Sequence, residues 1–222
     1  TFGSNGTTGT ATTITYNDNA EGPVTAIDVA AGTLVVLGQT VRINGATVFD
    51  DRIPGAALTG LRVGDVVEIS GFRNAAGEIV ATRIEPKAAG GTYELTGTVT
   101  ALDTTASRFT IAGTVVSYAG VTPTNGTLAN GGCAEAKGTS FAAGALTATS
   151  VEVKSCTLTG ATNEVGEFEG LITRFASLTD FEVGGQRVTT TGSTTYENGV
   201  AGDLRTGLKV EAEGNFNSSG VL

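Results

Sequence analysis

The sequence contains no histidine, no methionine and no tryptophan. Without His the chain lacks the commonest general base near neutral pH, the usual nitrogen ligand for metals and the middle member of a Ser-His-Asp arrangement. Lysine is almost as scarce: Lys87, Lys137, Lys154 and Lys209 are the only four, and none sits in a motif that would activate a Ser or Thr nucleophile. Basic residues number 13 against 22 acidic ones, for a net charge of −9. That balance excludes nucleic-acid recognition through a basic face and attraction to anionic lipid. No apolar run reaches the roughly 18 residues of a membrane-spanning helix, so no membrane insertion is expected of this segment. The 4 Tyr and 9 Phe leave little for an aromatic sugar-binding platform.

What is abundant is Thr, with 38 residues, and Gly, with 33. Thr favours strands, and Gly favours turns and bulges. Alternation at period two recurs, as in Val63-Gly64-Asp65-Val66-Val67-Glu68-Ile69 and Leu208-Lys209-Val210-Glu211-Ala212-Glu213, and no stretch keeps helical spacing. The fold class read from these patterns is all-β.

Internal repetition sharpens that reading. GFRNAAGEIVATRIE from Gly71, GTSFAAGALTATSVE from Gly138 and GNFNSSGVL from Gly214 each carry a second glycine six residues on, at Gly77, Gly144 and Gly220. Gly64, Gly131 and Gly207 each precede the first of these by seven residues. Further upstream, VTAID at Val24, VTALD at Val99 and ITRFA at Ile172 align. LVVLG from Leu34, FTIAG from Phe109 and FEVGG from Phe181 follow, and then a third strand centred on Val41, Val116 and Val188.

Each unit therefore reads as three strands, a longer connection and a strand hairpin. Five short strands in a small antiparallel unit predict an OB-like barrel more readily than a sandwich. The connection IPGAALTGL leaves room for a short helical turn at most. The predicted organisation is an N-terminal strand in residues 1–16 and barrels over 17–86, 92–156 and 166–222, the third of them incomplete. Linkers at 17–22, 86–91 and 157–166 are short, so an elongated string of touching barrels is expected.

Two cysteines fit either a disulfide in an oxidising compartment or a pair of reduced thiols. The repeat frame places Cys133 at the start of a fourth strand and Cys156 just past the fifth, where antiparallel pairing brings them together.

EGPVTAID, LGQTVRI, LTGLRVGDVVEISGF and GEIVATRIE together resemble a bacterial domain of unknown function that occurs in tandem in secreted and surface proteins. The resemblance covers most of the chain and is strongest in the first repeat. It implies an OB-like fold and an extracellular or cell-surface location, and it assigns no catalytic residue.

Other candidate sites are weaker. Asp50-Asp51 are adjacent and so point to opposite strand faces, while Glu164, Glu167 and Glu169 sit at a strand entry; both read as solvated acid, not a glycosidase pair. Asn17, Asn19, Glu21 and Asp28 have partial calcium-loop spacing, but flanking helices are missing and a polar linker is the simpler reading. No cofactor is expected. Asn5, Asn125 and Asn217 head Asn-x-Ser/Thr sequons, near what chance gives in so Thr-rich a chain. Phe72, Phe141 and Phe216 align in the hairpins as packing residues.

The ends of the sequence carry the functional expectation. Leu222 matches Ile79 and Leu146, which begin the last strand of the first two repeats. Meanwhile Thr10-Ala11-Thr12-Thr13-Ile14-Thr15-Tyr16 matches Val80–Pro86 and Thr147–Val153, with Ile14 at the core position of Ile84 and Val151 and Tyr16 placed to seal the barrel end. Three explanations compete: a fragment of a longer array, closure within one chain, and exchange between chains. Exchange makes residues 10–16 the donor strand, and Gly214, Phe216, Gly220, Val221 and Leu222 the acceptor end. The expected function is a non-enzymatic structural subunit whose partner is a second copy of itself, joined head-to-tail. The alternative is a carbohydrate- or peptide-binding module.

Overall fold

A computed structural model describes residues 19–157 and 160–222, and over them the protein is all-β, with three short 3-10 turns between strands. The first repeat holds β1 (Ala20–Asp28), β2 (Thr33–Val36), β3 (Gln39–Arg42), the short β4 (Val48–Phe49), β5 (Val66–Arg73) and β6 (Ile79–Pro86). Antiparallel pairs β1–β2, β2–β3, β5–β6 and β1–β5 and a parallel β3–β6 pair close these strands into a five-stranded barrel, with β4 added beside β6. The ring of pairings is closed, the OB-like solution to strand exposure, except at the start of β1, where the edge opposite β5 lies beyond β2. IPGAALTGL forms two 3-10 turns, Pro54–Ala56 and Leu58–Gly60, that plug one barrel end with Ile53 and Leu58.

The second repeat repeats the topology with β7 (Tyr93–Asp103), β8 (Arg108–Ile111), β9 (Thr114–Ser117), β10 (Cys133–Ala142) and β11 (Ala145–Lys154). Its core is filled by compensation. Where the first barrel has Val67 and Ile69, the second has Ala134 and Ala136; where the first has Ala20 and Leu34, the second has Leu95 and Phe109, and all eight are sealed from solvent. Total volume is conserved while individual sizes swap, which cores tolerate well. Cys133 and Cys156 form a disulfide with a Cα–Cα distance of 5.2 Å. It ties the start of β10 to the segment just past β11.

The third repeat holds β12 (Val165–Ser177), β13 (Asp180–Val183), β14 (Gln186–Val188) and β15 (Lys209–Asn215), in the order β14-β13-β12-β15. It is a half-barrel. Among the described residues no strand joins β14 to β15.

The first two barrels do not sit end to end on a flexible linker. Ala20 and Glu21 of β1 pair with Leu95 and Glu94 of β7, on the edge of β1 opposite β5. Ala20 and Leu95 are equivalent positions of their repeats, so the junction has a local pseudo-two-fold axis. The two strand-turn-strand tips meet across it: Gln39 Nε2 donates to Ile111 O at 3.1 Å and to Thr114 Oγ1 at 2.6 Å, and Thr114 Oγ1 donates to Leu37 O at 2.6 Å. Arg73 closes the network by donating to Gln39 Oε1, Gly77 O and Thr96 O. Burial holds the Arg73 pKa down at about 10, still well above neutrality. Nor do the three repeats lie in a line, since Lys209 of the third stands over the Phe72 ring of the first, 5.3 Å from its centroid. A linear string does not allow that contact.

Candidate strand-acceptor groove

The repeats differ most in what lies beside β15. In the closed barrels the glycine that opens the hairpin, Gly71 or Gly138, sits at a β-bulge against the last strand. A Cβ at Gly71 would meet Val80 O at 2.3 Å, and one at Gly138 would meet Thr147 O at 2.0 Å. Only glycine allows that approach. At Gly214 the same Cβ would meet nothing among the described residues nearer than Leu222 Cγ at 4.0 Å. The third repeat thus keeps the glycine, and the described residues do not fill the space it serves.

Among the described residues the last strand of the half-barrel is represented by its first positions, up to Leu222. Gly220, at φ +69°, turns the chain back as Gly77 and Gly144 do at +79° and +76°. Leu222 then docks on β14, its N–H donating to Arg187 O at 3.1 Å and its carbonyl accepting from Thr189 N–H at 2.9 Å. This places it beside Val188, as Ile79 lies beside Val41 and Leu146 beside Val116. Val221 and Leu222 are buried, and Phe216 packs against Gly160, Gly166 and Leu222. The residues past that point in the closed barrels, Ala81 with Ile84 and Ala148 with Val151, are at most 5% exposed. The floor they would cover is half-open here: Val210, Ala212 and Phe168 are only partly buried, whereas Val67, Ile69 and Ala20 in the first barrel are fully so.

Charge on this face is unbalanced. In the closed barrels Lys87 pairs with Glu68 and Glu21, and Lys154 pairs with Glu135 and Glu152. On the half-barrel Lys209 pairs with Glu169 at 2.6 Å, while Glu167 lies opposite Glu213 and Glu169 opposite Glu211 on adjacent strands. Glu211 shares a hydrogen bond with Glu167 and feels its charge, which raises the Glu211 pKa.

Of the predicted site residues, Cys133 and Cys156 are joined, and Gly214, Phe216, Gly220, Val221 and Leu222 line or terminate the groove. Thr10 to Tyr16, and Asn17, lie outside the described residues. The calcium reading fails on distance. Glu21 lies at the start of β1 and Asp28 ends it, so the two stand about 23 Å apart at a strand's usual rise. Asp28 accepts from Ala31 N–H instead, and Glu21 pairs with Lys87. Asp50 is bound by Arg52 and Arg83, and the Arg52 hydrogen bond lowers its pKa to about 2, while Asp51 is exposed. Glu164 caps a turn by accepting from Ala161 N–H. Asn125 donates to Glu152, and Asn217 accepts from Ser219 and Val221 N–H within the hairpin turn; Asn5 is outside the described residues. Phe72, Phe141 and Phe216 are not equivalent after all. They follow their bulge glycines by one, three and two residues, and only Phe216 is fully buried. A hollow of 320 Å³ between Phe175, Leu178 and Leu204 has no titratable side chain in its lining.

Two closed OB-like barrels and a half-barrel of the same topology define a tandem-barrel protein. The chain belongs to the DUF5666 family, described as a domain of unknown function, whose sequence pattern matches residues 21–85, 96–152 and 169–222. No curated protein and no solved structure matches it. No helix among the described residues is long and apolar enough to cross a membrane.

Sequence reasoning pointed to this end of the third repeat, where the described residues hold no counterpart of Val80–Pro86 and Thr147–Val153. It missed the role of Gly214, whose signal was present: a glycine in mid-strand, repeated three times, marks a close backbone approach. It missed Gln39, Arg73 and Gln186 altogether, because one polar residue in a strand carries no periodic mark.

Proposed function

We propose that this protein is a non-enzymatic structural subunit that polymerises head-to-tail. Residues 10–16 of one chain enter the third repeat of the next as its fifth strand. The observation that carries this reading is Gly214, which keeps room for a strand backbone that the described residues do not supply. By the register of β5 and β6, Ile14 comes opposite Ala212 and Ala11 opposite Gly214, the places of Ile84 and Ala81 in the first barrel. Main-chain pairing gives the affinity, and the Ala/Ile spacing sets the register. Donor and acceptor are different surfaces, so the contact is heterologous and the assembly stays open. The absence of His and the acidic surface favour a structural role over catalysis or nucleic-acid binding. The disulfide supports an oxidising environment, and we place the filament outside a bacterial cell.

Removing residues 1–16 should abolish long assemblies in sedimentation and electron microscopy, whereas the chain of 222 residues is expected to form them. Long assemblies of the shortened chain would refute the reading. Completion within one chain is the second reading, and one observation favours it. Asn19 N–H bonds Ile69 O on β5, and Phe72, three residues further along that strand, touches Lys209. A monomeric full chain that loses stability on the same truncation would support that closure.

A further inference from the structure

The junction of the first two barrels is a self-complementary face, and the equivalent strand edge of the third repeat has no strand partner among the described residues. Equivalent positions meet across the pseudo-two-fold: Ala20 pairs with Leu95, and Gln39 hydrogen-bonds Thr114. Their counterparts in the third repeat are Phe168 and Gln186. Phe168 pairs with Ala212 of β15 on one edge of β12. Its other edge, over residues 165–169, has no strand partner among the described residues, and Val165 there is 64% exposed. Gln186 is only 1% exposed, yet its Oε1 has no hydrogen-bond donor among the described residues. In the first barrel the same atom of Gln39 is satisfied, and its amide nitrogen reaches the neighbouring repeat. A buried amide oxygen without a donor is costly, and such atoms mark missing partners.

We propose that this face docks a second copy of itself: two chains pair through their third repeats about a true two-fold axis. β12 then pairs antiparallel with β12 of the partner chain, centred on Phe168. Gln186 sits beside this contact, its Nε2 keeping its bonds to Arg187 O and Gly220 O within its own repeat. Isologous contact of this kind closes at two chains. Glu167 of each copy lies opposite Glu169 of the other, as Glu94 lies opposite Glu21 between the first two barrels. There the acids are held by Lys137 and Lys87; here Lys209 beside Glu169 does the same work. The face lies apart from the strand-acceptor groove, so one chain can use both.

The test is sedimentation equilibrium of the full chain carrying Ile14→Asp, which puts a charge at the donor's core position and silences strand exchange. Dimers of twice the 22.2 kDa chain mass are expected. Adding Glu167→Lys sets Lys against Glu169 twice over and should lower the dimer Kd about tenfold. Adding Glu167→Lys and Glu169→Lys together sets Lys against Lys and should return the Kd to the starting value or above. Monomers at about 100 µM, or a double variant that binds tighter than the single one, would overturn the proposal; the latter would mean that lowered net charge, not this register, drives association. The result is independent of strand exchange, because residues 10–16 take no part in this face.

Discussion

Replacing Gly214 by Ala separates the strand-acceptor account from a merely structural one. In the free half-barrel the added methyl meets nothing nearer than 4.0 Å among the described residues, so stability should change by no more than about 0.5 kcal/mol. In a completed barrel it would lie 2.0–2.3 Å from a carbonyl oxygen, as at Gly138 and Gly71. Ordinary contact needs about 3.4 Å, so the strand must shift by about 1 Å and lose two or three ladder hydrogen bonds, roughly 1 kcal/mol each. Strand entry should therefore weaken by about 3 kcal/mol, close to a hundredfold in the assembly constant. Gly138→Ala carries the same clash inside a closed barrel and should cost a comparable amount of folding stability. Denaturant melts report the folding cost, and the critical concentration from pelleting reports the assembly cost. Gly214→Ala that assembles like wild type, or that unfolds like Gly138→Ala, refutes the reasoning.

Other consequences follow from the same geometry. Ile14→Ala should raise the critical concentration about a hundredfold, as expected for losing a buried aliphatic side chain, whereas Thr13→Ala, at the outward position of Arg83, should change it less than about threefold. Reducing Cys133–Cys156, which are 23 residues apart, should cost roughly 3 kcal/mol in the loop-entropy account, read as a lower melting temperature in reductant. Arg73→Met leaves Gln39 Oε1, Gly77 O and Thr96 O without their donor and should destabilise the two-barrel unit by about 2–4 kcal/mol, measured in denaturant. The Glu211 pKa is raised in the folded state, so its contribution is present below the unfolded carboxylate value of about 4.3 and is lost as pH climbs through the raised value. The half-barrel should melt higher near pH 4 than near pH 7, and Glu211→Gln should flatten that difference. Asp50 runs the other way: its pKa of about 2 stabilises the first barrel above the unfolded value of about 3.9, and that contribution is lost as pH falls towards 2.

The barrels were legible because their glycines are punctuation with fixed spacing. Gly64, Gly77 and their counterparts all adopt positive φ, so aligning them aligned the strands. The disulfide followed from the hairpin frame. The junction between barrels was not legible. Ala20 and Leu95 read as ordinary core residues of separate units, and their pairing uses backbone groups that no side-chain pattern announces. The calcium spacing misled because linear spacing implies proximity only in a loop, and Ala20–Asp28 is a nine-residue strand that holds its ends apart.

The most direct test of the central claim is a mixed cross-link. The register of Ser70 with Arg83 places Thr13 of the donor opposite Glu213 of the acceptor. Chains carrying Thr13→Cys, mixed with chains carrying Glu213→Cys under oxidation, should form a disulfide between two different chains. No cross-link in the mixture, or one that forms only within a chain carrying both cysteines, would contradict completion of the third repeat by a neighbour.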